Sequence, residues 1–234
     1  LLDDQGRADR RPAQPLSEPG FAAQPAGKHG DMTDHPSAFA INCTLKPSPA
    51  ESSCDRMLGL IADALGEHHV ETETVRAVDL HIAPGVTSDE GQGDDWPEVR
   101  EKILDAEILV LATPIWLGNP SSVCRRVLER LDAFLGETDH RGRMISFDRV
   151  AVVATVGNED GAHNVSAQLF QALSDVGFTV PAGGSAYWVG EAMGSVDFKD
   201  LGAIPEKVSE TVSTLAGNAA HLARLLRSDG YPAS

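Results

Sequence analysis

The chain has 234 residues, of which 41% are hydrophobic and 23% are charged, as expected for one globular domain with some chain to spare. This composition excludes a fibre, a repeat array and a fully disordered chain. Its 35 acidic residues outnumber its 19 basic residues and give a net charge of −16, the wrong sign for binding nucleic acid or an anionic membrane. The most apolar stretch, 106–117, is too short to span a bilayer, and the three cysteines lack zinc-type spacing. We therefore expect a cytoplasmic protein without a structural metal or a disulfide framework.

Residues 1–37 differ in composition from the rest of the chain. They contain five prolines among Gly, Gln, Asp and Arg and show no hydrophobic period, so they cannot bury enough surface to fold alone. We interpret them as an N-terminal extension of low structure; the alternative is an arm that packs on a partner subunit. The folded domain is then predicted to occupy residues 38–234.

From Ala38 onward, short apolar or β-branched runs alternate with segments of helical period, which is typical of a parallel sheet covered by helices. The predicted strands are 38–43, 71–78, 108–113, 150–156 and 185–189. Helices are predicted over 53–65, after Pro120, between Gly161 and Gly177, and over 205–227. Five such units favour an α/β, three-layer, doubly wound fold with a five-stranded parallel sheet in the flavodoxin-like order, because a TIM barrel needs eight.

In a doubly wound fold, ligands bind beyond the carboxyl ends of the strands, where the strand order reverses. For this order that point lies beside the first and third strands. The loops after Cys43, Thr113 and Val156 are therefore expected to form the site.

The loop after the first strand places hydroxyl groups and Lys46 at the start of a helix. It contains neither the GxxxxGK[ST] pattern of nucleoside-triphosphate loops nor the GxGxxG pattern of dinucleotide loops. Hydroxyls, an ammonium group and the free N–H groups of a helix start can hold a phosphate monoester. The simpler interpretation is that Ser52 or Ser53 only caps the helix.

The loop after the third strand contains two prolines and a glycine, which make it stiff and place Trp116 where the strand order reverses. A planar aromatic cofactor needs side chains against its faces and backbone N–H groups along its heteroatom edge. Trp116, Gly118 and Asn119 can provide both. The alternative is that Trp116 is a core or rim tryptophan.

The loop after the fourth strand is a polar turn with two adjacent carboxylates, Glu159 and Asp160. Adjacent carboxylates in a loop rarely converge on one substrate atom, and they also suit a helix N-terminus. His163 fits a surface position as well as a proton donor, so no catalytic residue is assigned. The acidic loop 84–95 is interpreted as a mobile lid rather than a metal site.

Together these loops resemble those of the flavodoxin-like NAD(P)H-dependent FMN reductase family, over about residues 38–226. In that family a hydroxyl and basic segment receives the FMN phosphate, and it corresponds here to Thr44, Lys46, Ser48, Ser52, Ser53 and Cys54. A Pro-x-aromatic-x-Gly segment lies along the isoalloxazine ring and corresponds to Pro114, Ile115, Trp116, Leu117, Gly118 and Asn119. A turn closes the other side and corresponds to Gly157, Asn158, Glu159, Asp160 and Gly161.

The run NEDGAH at 158–163, followed by AYWxG at 186–190, is similar to one branch of flavodoxin-like flavoproteins. That branch resembles an aminoriboflavin-phosphate synthase as well as reductases. The chain departs from the commonest reductases in having Trp116 where tyrosine is frequent, and in residues 117–119 where a small polar run is frequent.

The resemblance implies that bound FMN takes hydride from NAD(P)H and passes electrons to a small-molecule acceptor in the same site, without a catalytic acid or base. It also implies a homodimer, because family members commonly complete the pocket across a dimer interface. Two alternatives stay open: a flavodoxin-type electron carrier, and an enzyme that modifies the flavin itself. The acidic charge suits a carrier, but the first loop lacks the threonine- and glycine-rich phosphate loop of flavodoxins.

Overall fold

A computed structural model describes residues 35–233. The predicted N-terminal extension, 1–37, lies outside this range except for its last three residues. Ser37 is already the first residue of a strand. The structure of the extension therefore stays a prediction.

The described chain forms a sheet of six strands, with the order expected from the sequence. They are β1 (Ser37–Asn42), β2 (Glu71–Arg76), β3 (Ile108–Trp116), β4 (Asn119–Pro120), β5 (Val150–Gly157) and β6 (Ser185–Val189). Five strands are parallel in the order β2-β1-β3-β5-β6, and the two-residue β4 is antiparallel to the end of β3. This order confirms the predicted flavodoxin-like, doubly wound fold.

Five α-helices accompany the strands in the described part of the chain. They are α1 (Ser53–Glu67), α2 (Trp96–Asp105), α3 (Ser122–Leu131), α4 (Ala162–Asp175) and α5 (Glu206–Ser228). Helical period in the sequence predicts four of them, but not α2. This helix has only ten residues, with a proline in its first turn and three buried side chains, so its own period is a weak signal. Packing against β1 and β3 fixes it.

The helices form layers on the two faces of the sheet. Residues of α1 and α5 pack on one face, and residues of α2, α3 and α4 pack on the other. In β3, Ile108 and Val110 point to the first layer, whereas Leu109 and Leu111 point to the second. The central strands are apolar at successive positions because both of their faces are covered. Among the described residues, no helix is long and apolar enough to cross a membrane.

The acidic loop 84–95 is anchored, and the predicted mobile lid is not what the structure shows. Arg130 of α3 is fully buried and pairs with Asp94, whose side chain is 1% exposed, at an Nη2–Oδ2 distance of 2.7 Å. The same guanidinium donates to the carbonyl groups of Ala83 and Thr87. It also lies over the ring of Trp96, 5.5 Å from its centroid. One buried cation therefore joins the loop, the start of α2 and α3.

Asp94 titrates unlike an exposed carboxyl group. Burial by itself would raise its pKa, but hydrogen bonds from Arg130 and from the amides of Glu90, Ala83 and Trp96 outweigh burial and hold the pKa well below its usual range. Because the folded-state pKa is lowered, the contribution of this group to stability is present above the unfolded-state pKa. It is lost as the pH falls through the folded-state value.

Replacing Arg130 with methionine should lower the free energy of unfolding by about 3–5 kcal/mol, because it leaves the Asp94 carboxylate buried without its partner. Urea unfolding at neutral pH measures the difference. The control is Lys207→Met, since Lys207 is 86% exposed, and it should change stability by less than about 0.5 kcal/mol. The difference in the free energy of unfolding between wild type and Arg130→Met should become smaller below about pH 4, where Asp94 becomes protonated in the unfolded chain. Equal losses in the two variants would contradict an anchoring role for Arg130.

Candidate functional site

A cavity of about 490 Å³ lies at the carboxyl ends of β1, β3 and β5. Its volume falls in the range typical of small-molecule sites. The three loops predicted from the sequence supply three of its walls. The end of β6 and the connection between β6 and α5 supply a fourth wall, which is not among the loops predicted from the sequence.

Hydroxyl groups and one ammonium group line the first end of the cavity, where Thr44, Lys46, Ser52, Ser53 and Cys54 meet. Ser52 is the N-cap of α1, and its Oγ accepts a hydrogen bond from the amide of Cys54 at 3.2 Å. Thr44 Oγ1 accepts from the amide of Lys46 at 3.3 Å. Each hydroxyl that accepts in this way keeps its own hydrogen to donate to a ligand. Ser52 can therefore cap the helix and contact a phosphate at the same time.

Two predicted residues of this loop behave differently from their neighbours. Ser48 does not line the cavity, because its amide and hydroxyl donate to the carboxylate of Asp79 in an exposed turn. These two bonds lower the pKa of Asp79. Cys54 does line the cavity, but burial raises the pKa of its thiol, so it contributes a neutral surface.

The second wall is the end of β3, which runs three residues beyond its predicted end at Thr113. Pro114 pairs in register with Val156 of β5, so tertiary pairing extends the strand through a residue that by itself indicates a loop. Trp116 then pairs with Asn119 across a two-residue turn. Strand pairing therefore carries the chain as far as the tryptophan.

Both central residues of this turn are left-handed: Leu117 has φ +51° and Gly118 has φ +71°. That geometry belongs to a tight hairpin, where glycine and asparagine are the usual residues and leucine is strained. Pro114, Ile115, Trp116 and Leu117 line the cavity, with Trp116 54% and Leu117 90% exposed. Gly118 of the turn and Asn119, the first residue of β4, do not line the cavity, and Asn119 Nδ2 donates to the carbonyl of Leu117.

The third wall, after β5, is held against the hairpin of the second wall by hydrogen bonds and a close backbone contact. Gly157, Asn158 and Glu159 line the cavity, whereas Asp160 and Gly161 lie beyond it.

Three contacts hold the third wall against the hairpin. Glu159 Oε1 accepts from the amide of Leu117 at 2.9 Å, and Asn164 Nδ2 donates to the carbonyl of Gly118 at 2.7 Å. Gly161 has φ +128° and touches Gly118 so closely that a Cβ at position 161 would lie 2.7 Å from the Gly118 Cα. The two loops therefore fix each other's position.

The fourth wall comes from Trp188 of β6 and from the connection between β6 and α5, where Met193, Asp197 and Phe198 line the cavity. Phe198 packs on Trp188 with ring centroids 5.4 Å apart. The AYWxG pattern already drew attention to Trp188, but residues 191–198 show no strand or helix period from which a wall could be predicted.

Arg56 of α1 holds this connection in place. Its Nη1 donates to the carbonyl groups of Phe198, Lys199 and Leu201 at 2.9, 2.8 and 2.7 Å. Arg56 and these partners are more than 140 residues apart, so no local sequence pattern could predict this role.

Asn158 joins the third wall to the fourth. Its Nδ2 donates to the carbonyl of Gly194 at 3.2 Å and to Asp197 Oδ1 at 3.0 Å, and its own carbonyl accepts from the amide of Met193 at 3.0 Å. Its Oδ1 is buried without a hydrogen-bond partner. The side chain is thus placed by its donor groups.

The two sequence motifs meet outside the cavity. His163 Nε2 lies 3.0 Å from the hydroxyl of Tyr187, and the two rings stack edge to face. Neither residue lines the cavity. The pair therefore joins α4 to β6 and supplies no proton donor to the cavity.

The lining separates into a polar end and an aromatic end. Lys46 is the one cationic side chain among the lining residues, and Glu159 and Asp197 are the anionic ones. Hydroxyls, Lys46 and the N-terminus of the 15-residue α1 suit a phosphate. Ile115 and Trp116 suit a flat aromatic ring, and Trp188, packed on Phe198, adds a further aromatic surface to the lining. This donor set fits flavin mononucleotide.

The comparisons with known proteins point in the same direction. The NADPH-dependent FMN reductase family matches residues 37–193. The 8-demethyl-8-aminoriboflavin-5'-phosphate synthase of Streptomyces davaonensis is 31% identical over 207 residues, 83% of this chain and 79% of that protein. The crystal structure of RosB with bound 8-demethyl-8-formylriboflavin-5'-phosphate has a TM-score of 0.76 at 29% identity, and the match covers 84% of this chain and 82% of that chain.

A further relative is a much longer protein. The divalent metal cation transporter MntH of Mycobacterium bovis is 36% identical over 197 residues, which are 81% of this chain but only 29% of that protein. The present chain thus corresponds to a part of that relative.

Replacing Gly161 with alanine should destabilise the protein by about 2–4 kcal/mol, because the new Cβ meets the Gly118 backbone in a conformation that already disfavours side chains. Gly118→Ala is the matched variant: its φ is also positive, but the nearest atom to its Cβ would be 3.9 Å away. It should cost about 1 kcal/mol. Urea unfolding measures both. Equal costs would mean that the two loops do not depend on this close approach.

Proposed function

This chain belongs to the NADPH-dependent FMN reductase family, and from that membership we propose that it is an FMN-dependent oxidoreductase that passes hydride from NAD(P)H through bound FMN to a small acceptor. The observation that carries the proposal is one cavity with a phosphate-type end and an aromatic end, at the point where the strand order reverses. FMN, when bound, supplies the hydride and electron transfer chemistry. The residues of the chain then bind, orient and shield it.

We assign the phosphate to the polar end of the cavity. Lys46 contributes charge, Thr44 and Ser52 contribute hydroxyl donors, and the first turn of α1 contributes free N–H groups. Ser48 takes no part in this assignment because Asp79 engages both of its donor groups.

We assign the flavin ring to the space between the second and third walls. Trp116 and Ile115 offer apolar surface, and Gly157 lets the third wall pack closely against Ile115. Its missing side chain is required, because a Cβ there would lie 2.9 Å from Ile115 Cβ. Gly118, Asn119, Asp160 and Gly161 act by shaping the walls and not by lining them.

A homodimer also belongs to this proposal. Trp116, Leu117, Met193 and Val196 are large apolar side chains that are more than half exposed at or beside the cavity. A second subunit that covers them would shelter the flavin from water. The cytoplasmic location stays a prediction from the sequence.

A second candidate function is modification of the flavin itself. It is supported by the 31% identity to the aminoriboflavin-phosphate synthase and by the similarity to RosB with a formylated riboflavin phosphate. Both candidates require the same phosphate end and the same aromatic end. They differ in whether the flavin leaves the reaction unchanged. The other alternative, a one-electron carrier, stays a prediction from the acidic composition.

Replacing Lys46 with methionine should weaken FMN binding by about 10- to 100-fold, since a charge-assisted bond to phosphate is worth about 1.5–3 kcal/mol. Riboflavin is the matched ligand, because it has the same ring and no phosphate, and its affinity should stay within about twofold. Fluorescence titration of both ligands measures the change. If both affinities fall together, Lys46 does not contact the phosphate end of the ligand.

Anaerobic mixing of the FMN-loaded protein with NADPH or NADH should bleach the oxidised flavin absorbance, because hydride transfer reduces the ring. Mass spectrometry of the released flavin after reoxidation should return unchanged FMN. A flavin of altered mass after incubation with an amino donor would favour the second candidate. Binding without reduction by either nucleotide, with a semiquinone on dithionite treatment, would favour the carrier.

A further inference from the structure

Glu159 is fixed in position at the wall of the cavity. Its side chain lines the cavity, and its Oε1 accepts from the amide of Leu117 at 2.9 Å. The hairpin that provides this amide is held separately by Asn164, which donates to the carbonyl of Gly118. The carboxylate therefore has a defined place beside Trp116 and Leu117.

The charges around this carboxylate are unbalanced. Asp197 also lines the cavity and accepts from the Asn158 side chain, a neutral donor. Lys46 is the one cation in the lining, and it stands at the polar end with Ser52. Lys199, near the same end, is paired with Asp200. Among the described residues that line the cavity, no cation accompanies Glu159 at the aromatic end.

We propose that Glu159 sets the balance between the oxidised and reduced states of the flavin, because its fixed negative charge disfavours the reduced state. The inference rests on the proposed function, since it requires FMN in this cavity. Hydride delivers two electrons and one proton, so the flavin becomes more negative by one unit until it takes up a second proton. Coulomb repulsion from Glu159 then weakens binding of the reduced form more than binding of the oxidised form.

Coulomb's law gives the scale of the effect. At an effective dielectric constant of about 20, two unit charges about 10 Å apart interact strongly enough to change a binding constant by about tenfold. Linkage requires the same factor in the ratio of the two dissociation constants. A tenfold change in that ratio shifts a two-electron midpoint potential by about 30 mV.

Glu159→Gln is the informative variant, because glutamine keeps an oxygen that can accept from Leu117 but carries no charge. We expect the dissociation constant of reduced FMN, divided by that of oxidised FMN, to fall by about tenfold, and the midpoint potential to rise by about 30 mV. Titration of both forms under nitrogen and dye-equilibration potentiometry measure these two quantities independently. Glu101→Gln, at an exposed position of α2, makes the same chemical change and should leave the ratio within about twofold.

Glu159→Ala removes the bond to Leu117 together with the charge. It should give the same fall in the ratio and should also weaken binding of both forms, because the hairpin loses a partner. A ratio that changes in Glu159→Ala but not in Glu159→Gln would overturn the proposal, since the hairpin and not the charge would then set the balance. An unchanged ratio in both variants, or an equal change in Glu101→Gln, would also overturn it. Wild-type protein that binds neither form of FMN would overturn the proposed function, and this inference with it.

Discussion

The position of β3 between β1 and β5 is the constraint on which the site depends. Its residues pair with β1 as far as Ala112 and with β5 as far as Pro114. The carboxyl ends of the three strands therefore lie at the same edge of the sheet. This register is held by side chains that are buried on both faces, and a slip would move them to the wrong layer. The loops after these strands therefore meet at one edge of the sheet. A cavity with a polar end and an aromatic end follows from what each loop contains.

The walls of the cavity are held in place by contacts between distant parts of the chain. Arg56 joins α1, at the polar end of the cavity, to the connection after β6. Asn158 joins that connection to the third wall. Glu159 and Gly161 in turn join the third wall to the hairpin after β3. A change in one wall is therefore transmitted to the next. This coupling makes conservative substitutions, such as glutamate to glutamine, more informative than deletions of a whole side chain.

The cavity contains charges of both signs, although the chain as a whole is acidic. A net charge of −16 argues against phosphate-rich polymers, yet the polar end suits a single phosphate. Local geometry resolves this contrast, because Lys46, hydroxyls and the N-terminus of α1 converge at that end. The carboxylates of Glu159 and Asp197 lie along the other walls. Under the proposed function, the same site combines attraction for the FMN phosphate with repulsion of negative charge on the flavin ring.

The sequence by itself determined the fold class, the strand order and the edge of the sheet at which the cavity lies. Alternating strand and helix periods carry that information locally, and 12 of the 17 predicted site residues line the cavity. Only the tertiary structure decided the rest. Ser48 turns to Asp79, β3 continues through Pro114, α2 forms beside an anchored acidic loop, and the connection after β6 becomes a wall. Each of these outcomes depends on a partner far away in the chain, and a local pattern holds no information about such a partner.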